Sequence, residues 1–215
     1  MRMRKSEMAV LGLILLSFIL AVFLYPYMPE QMASHWNARG EVDGYMSKFW
    51  GLFLVPFTLL GVGILFIVIP RIDPLKANIE RFRRNYDGFM VIFFIIMLAF
   101  YAQVILWNSG IEISPNKIFP IGLGLLLFYV GVLCEKAKRN WFIGIRTPWT
   151  LSSEAVWDKT HKLAGKLFKI AGAVALIGVF FGRYAFLFIL IPVVLISLYT
   201  VIYSYIEFQR EIKEK

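Results

Sequence analysis

Trp50 to Ile69 reads WGLFLVPFTLLGVGILFIVI, twenty residues without a charge. As a helix rising about 1.5 Å per residue it crosses a hydrocarbon core of roughly 30 Å. Central Leu, Ile, Phe and Val each favour insertion by about 0.3 to 0.6 kcal/mol, whereas one central charge opposes it by about 2.5 to 3.5 kcal/mol. This run therefore inserts readily. Five more follow the pattern, at Met8 to Tyr25, Gly88 to Trp107, Ile118 to Cys134, Leu163 to Phe181 and Ala185 to Ile206. The Leu163 run is the weakest, because only Ile170 to Phe181 is fully apolar. It spans if Lys166 and Lys169 snorkel to the nearer headgroups.

Composition agrees. Of 215 residues, 59% are hydrophobic and 17% charged, which is outside the range of soluble globular domains. The expected fold is all-α, an integral, multi-pass cell-membrane bundle of six transmembrane helices. Lysine and arginine concentrate at the N-terminus (Arg2, Arg4, Lys5), in the second loop (Arg71, Lys76, Arg81, Arg83, Arg84), in the fourth (Lys136, Lys138, Arg139, Arg146, Lys159, Lys162) and in the tail (Arg210, Lys213, Lys215). The remaining loops hold only Arg39, Lys48, Lys117 and Arg183. Basic loops stay inside, so both termini are expected in the cytoplasm.

That topology also accounts for the net charge of +9 without direct nucleic-acid binding, and directs the basic surface to anionic membrane lipids. The first run is too long for the apolar region of a cleavable signal peptide and reads as an anchor. Cys134 is the sole cysteine, which excludes an intrachain disulfide and CxxC metal sites.

Three regions are expected: 1–70, two helices with an external loop at 26–49; 71–87, a cytoplasmic amphipathic linker; and 88–215, four helices with a cytoplasmic motif loop at 136–162. The external loop should be compact, with turn signals at Asn37 to Gly40 and Glu41 to Gly44. Its His35, Glu41 and Asp43 suit either a weak divalent-ion site or a hydrated polar turn, and the turn is the preferred reading. In the linker, Ile72, Leu75, Ile79 and Phe82 recur at helical spacing, which predicts a helix lying on the inner surface.

Asn140 to His161, NWFIGIRTPWTLSSEAVWDKTH, stands apart from the surrounding lipid-compatible sequence. It should begin extended, with Trp141, Ile143 and Ile145 alternating against Phe142, Gly144 and Arg146. Pro148 then disfavours the helical region for Thr147, and a helix capped by Ser152 or Ser153 follows. Glu154, Asp158 and His161 fall at i, i+4 and i+7 on one face. These are divalent-metal ligand types, but no second histidine is near, and catalytic zinc normally takes three protein ligands plus an open position. No metal, cofactor or catalytic residue is assigned. GxSxG, HExxH and P-loop patterns are absent, and no ionisable group falls at mid-membrane, which weighs against transport. Arg146, beside a stiff Thr-Pro-Trp turn, is expected to pair with Glu154, Asp158, Glu135 or a lipid phosphate, as an anchor or as a recognition group. Ala171, Ala175, Gly178 and Gly182 form a small-residue stripe, a helix-packing face that would also serve an oligomer.

Asn140, Trp141, Gly144, Ile145, Arg146, Thr147, Pro148, Trp149, Thr150, Trp157, Thr160 and His161, continued by Gly165, together resemble the signature of the SdpI family. Pro29, His35, Asn37, Gly40, Asp43, Gly44 and Lys48 resemble the uncharacterised module that often precedes that domain. The resemblance implies a non-enzymatic six-span protein giving immunity to, or sensing, a secreted membrane-active peptide toxin. It also implies signalling to a cytoplasmic transcriptional repressor. The rival readings are a small membrane transporter and a metal-dependent intramembrane enzyme.

Overall fold

A computed structural model describes residues 3–214; Arg2 and Lys215, counted above in the charge asymmetry, lie outside them. Six of its helices are long and apolar enough to cross a membrane. They are α1 (Lys5–Leu24), α2 (Lys48–Ile72), α4 (Arg83–Asn108), α5 (Pro115–Lys136), α7 (Glu154–Ile177) and α8 (Leu187–Lys213). Two short helices, α3 (Lys76–Arg81) and α6 (Pro148–Ser152), complete the helical set, with 3-10 turns at Tyr25–Tyr27 and Gly178–Tyr184. The protein is a multi-pass membrane protein of the expected class. The weak fifth run gains length by starting at Glu154, which adds polar turns before its apolar part.

Glycine sets the closest helix pair. A Cβ on Gly124 of α5 would lie 2.9 Å from the Gly172 carbonyl of α7, and one on Gly131 would lie 2.6 Å from the Gly165 carbonyl. The two pairs share a seven-residue spacing and run antiparallel, so the backbones touch along two turns where any side chain would separate them. Packing here uses Gly165 and Gly172 rather than the stripe singled out in the sequence. Ala171, Ala175 and Gly178 of that stripe are buried within the chain itself, Gly178 against Phe188. Only Gly182 is exposed, so the stripe offers no continuous face to a second copy.

The loop expected to be external and compact is a hairpin of β1 (Gln31–Trp36) and β2 (Val42–Ser47). Asn37 makes its turn: the Gly40 N–H donates to the Asn37 carbonyl at 2.8 Å, and the Asn37 side-chain oxygen accepts from the Arg39 and Glu41 N–H groups. Gly40 sits at φ +80°, a conformation glycine adopts without penalty. The second turn signal forms no turn. Gly44 lies within β2 opposite His35, where the register shifts. The hairpin is fixed to the bundle by Asn108, which accepts from the Ala33 N–H (2.7 Å) and donates to its carbonyl (3.0 Å), and by fully buried Met32.

The opposite end gathers the start of α1, the end of α2, α3, the start of α4, the end of α5, α6, the start of α7 and the end of α8. The linker helix does not lie flat on a surface there. Ile79 and Phe82 are buried among Tyr86, Leu133, Ala137 and Trp157, and only Ile72 of the expected apolar stripe is exposed.

Candidate functional site

The motif loop is organised by Asn140, whose side chain is fully buried. Its Oδ1 accepts from the Phe142 and Ile143 N–H groups (2.9 and 2.6 Å), while its Nδ2 donates to the Lys138 and Ile143 carbonyls (2.8 Å each). The segment is thus a tight asparagine-centred turn, where extended alternation was expected. Local side-chain hydrogen bonds outcompete the strand, as asparagine readily permits. Asp73, also buried, accepts from the Trp141 N–H at 2.9 Å and the Leu75 N–H at 2.6 Å, tying the end of α2 to the same turn.

Gly144 follows at φ +112°, and a Cβ there would stand 2.4 Å from His161 Nε2. The space is taken by a hydrogen bond: the Ile145 N–H donates to that nitrogen at 2.9 Å. His161 Nδ1 lies 2.9 Å from the Trp157 carbonyl. A carbonyl only accepts, so the neutral Nδ1–H tautomer satisfies both contacts. The imidazole stacks on Trp157 with centroids 3.9 Å apart and planes 15° from parallel. Trp157 is itself fully buried and donates Nε1–H to the Ala137 carbonyl at 2.9 Å. Gly144, Trp157 and His161 thereby join the end of α5 to the start of α7.

Thr147 caps α6 in an extended conformation (φ −103°, ψ 162°), and its hydroxyl also meets Ser204 of α8 at 3.0 Å. Pro148 begins α6, and Thr150 returns its hydroxyl to the Ile145 carbonyl at 2.8 Å. Trp149 packs edge-on against Tyr205, with centroids 5.1 Å apart. Of the two serines offered as caps, Ser153 is the one used, accepting from the Val156 N–H and bonding Glu211 of α8.

Arg146 takes none of the acidic partners proposed for it. Its guanidinium donates to the Trp141 carbonyl at 2.8 Å and is exposed. Glu154 pairs with Arg139 at 3.4 Å, Asp158 with Lys138 at 2.9 Å and Glu135 with Lys169 at 2.6 Å, nearer cations in each case. Glu154, Asp158 and His161 do not converge either, since both carboxylates are exposed while the imidazole is buried and bonded on each nitrogen. Among the described residues, no group of three His, Cys, Asp or Glu side chains is placed to hold a metal ion. Trp141, Phe142 and Arg146 lie exposed together at the asparagine-centred turn, while Gly144, Pro148, Glu154 and Asp158 of the motif are exposed as well.

At the hairpin end His35, Arg39, Glu41 and Asp43 stay in solvent, while Asn37, Gly40, Gly44 and Lys48 are partly covered. His35 meets Asp43 at 2.5 Å with its side chain 72% exposed, and Arg39 meets Glu41 at 2.9 Å. Lys48 reaches Glu30 at 2.6 Å and lies over the Tyr25 ring. The Glu41 carboxyl is held below its ordinary value, first by the hydrogen bond from Asn37 and then by the Arg39 guanidinium.

Several participants went unread in the sequence. Glu7, wholly buried at the start of α1, takes Arg71 of α2 on both oxygens (2.7 and 2.8 Å) and Arg83 of α4 at 3.2 Å. Buried Glu207 of α8 accepts from Lys159 at 2.8 Å and Arg210 at 2.7 Å. Each is one charge beside an apolar run, which signals a helix end but gives no hint of its partner.

Comparison with known proteins agrees with the sequence resemblance. The SdpI/YfhL protein family profile matches residues 136–204, and a domain of unknown function, DUF1648, matches residues 12–60. The immunity protein SdpI of Bacillus subtilis (strain 168) is 26% identical over 204 residues, covering 94% of this chain and 95% of the relative. No solved structure matches the chain. The segment that matches the SdpI/YfhL profile thus follows the one that matches DUF1648, and it contains the whole of α6 and α7.

Proposed function

We propose that this membrane protein gives its cell immunity to a membrane-active peptide, with the hairpin end outside and the motif end in the cytoplasm. The likeness to an immunity protein through both ends of the bundle carries the reading. The lysine and arginine asymmetry supports the orientation. The motif's residues divide into two jobs: all but Gly144 of the first set are buried, and the second set is exposed. Asn140, Gly144, Thr147, Thr150, Trp157 and His161 act as a clasp on α5, α7 and α8, while Trp141, Phe142 and Arg146 form the surface through which the protected state is passed on, a cytoplasmic repressor being the partner of that surface.

The test is survival of a sensitive host expressing the chain under challenge with a secreted membrane-active peptide. Protected cells are expected with the native chain. Survival no better than that of vector controls, with the protein present in the membrane, contradicts immunity. Capture of a repressor from detergent-solubilised membranes should depend on Arg146, and capture unchanged in Arg146→Ala removes the repressor as the partner of that surface while leaving immunity, and the part of Arg146 in protection, standing.

A further inference from the structure

Between the end of α5 and the start of α7 lies a cavity of about 440 Å³, within the size range of ligand sites, lined by four lysines against two carboxylates and floored by His161. Two cations at this corner are already neutralised: Lys138 by Asp158 at 2.9 Å, and Lys169 by Glu135 at 2.6 Å. Lys136, Lys162 and Lys166 are exposed and form no ion pair among the described residues. Three uncompensated ammonium groups therefore face one concavity, and they come from two helices that glycine contacts hold at fixed separation.

Their level in the protein matters as much as their charge. Lys136 is the last residue of α5, and Lys162 and Lys166 are one turn apart on α7, where the polar start gives way to the apolar span. By helix position the cavity lies where polar turns give way to apolar spans, the level at which phospholipid phosphates would meet it. A second basic cavity at the same end differs in this respect. There Glu7, Glu80 and Asp87 engage Arg4, Arg71 and Arg83, so most of its positive charge is neutralised internally.

We propose that Lys136, Lys162 and Lys166 form a binding site for a phosphate-bearing anion, supplied by the headgroup of an anionic phospholipid. Lysine ammonium groups act as point charges toward phosphate, and basic pockets between membrane helices suit anionic headgroups. A lipid seated there would rest against the clasp from outside and brace α5 against α7. The site stands apart from the immunity reading and survives its failure.

The experiment is native mass spectrometry of the full chain released from nanodiscs of mixed phosphatidylcholine and phosphatidylglycerol. The native protein should retain phosphatidylglycerol in preference to phosphatidylcholine. Retention should fall at least about tenfold in the triple variant Lys136→Gln, Lys162→Gln, Lys166→Gln. Lys76→Gln, in the other basic cavity, should bind as the native chain does, and the single variant Lys162→Gln, one exposed change, keeps the test available if the triple variant misfolds. Equal retention of both lipids, or phosphatidylglycerol held undiminished by the lysine variants, overturns the proposal. Displacement of the bound lipid by inorganic phosphate alone assigns the pocket to a soluble anion and overturns the lipid source.

Discussion

The hairpin and the motif loop are both polar segments between apolar helices, yet they are held by opposite means. At the hairpin end the ion pairs lie in solvent, His35 with Asp43 and Arg39 with Glu41, and exposed pairs contribute about 0 to 1 kcal/mol each. At the motif end Asn140, Trp157 and His161 are 0 to 1% exposed; Asn140 closes its own turn, and Trp157 and His161 tie α7 to backbone groups of the preceding segment. Leaving such a buried group unpaired costs about 1 to 3 kcal/mol. One end is a polar surface on a small scaffold, the other a buried clasp with a narrow exposed rim. Residues that carry a family resemblance can therefore differ entirely in role, and burial separates them.

Substitutions should grade accordingly. Trp157→Ala removes a filled core position and the Ala137 hydrogen bond, and should destabilise by about 3 to 5 kcal/mol in denaturant unfolding of the purified protein. Asn140→Ala leaves the Phe142 and Ile143 N–H groups without their acceptor and should cost about 1 to 3 kcal/mol in the same assay. His35→Ala breaks only an exposed pair and should stay within about 1 kcal/mol. A loss at His35 equal to that at Trp157 would erase the distinction between the two ends.

The smallest effect concerns pH. Because the folded Glu41 carboxyl titrates below its unfolded value, its contribution is present above the ordinary glutamate range and is lost as pH falls through the lowered value. A carboxyl-carbon NMR titration should place Glu41 below ordinary glutamate, and Asn37→Ala should bring it back up. An ordinary value in the native protein would remove Asn37 as the cause.

The spans were legible because twenty uncharged apolar residues have one stable solution in lipid. Their ends were less so: α4 begins at Arg83, whose charge is answered by Glu7 and Asp87 from positions no local pattern reveals. The hairpin was hidden because its strands are short and the register shifts opposite Gly44, although Asn37 marked the turn. In the motif, the spacing of Trp157 and His161 was visible but the sense of the face was not. Histidine on a helix near a membrane surface reads as solvated until Ile145 and the Trp157 carbonyl are seen to satisfy both nitrogens. The α5–α7 contact was equally illegible from one helix, since Gly165 and Gly172 acquire meaning only beside Gly131 and Gly124.

The division between clasp and rim is tested most directly at Arg146, which belongs to the motif, lies exposed and bonds only the Trp141 carbonyl in the contacts described above. Protection against the peptide and unfolding stability should be measured together on Arg146→Ala. Stability within about 0.5 kcal/mol of the native protein, with protection lost, is the expected result. Full protection by Arg146→Ala would contradict a functional rim, and protection lost only in step with unfolding would reduce Arg146 to another part of the clasp.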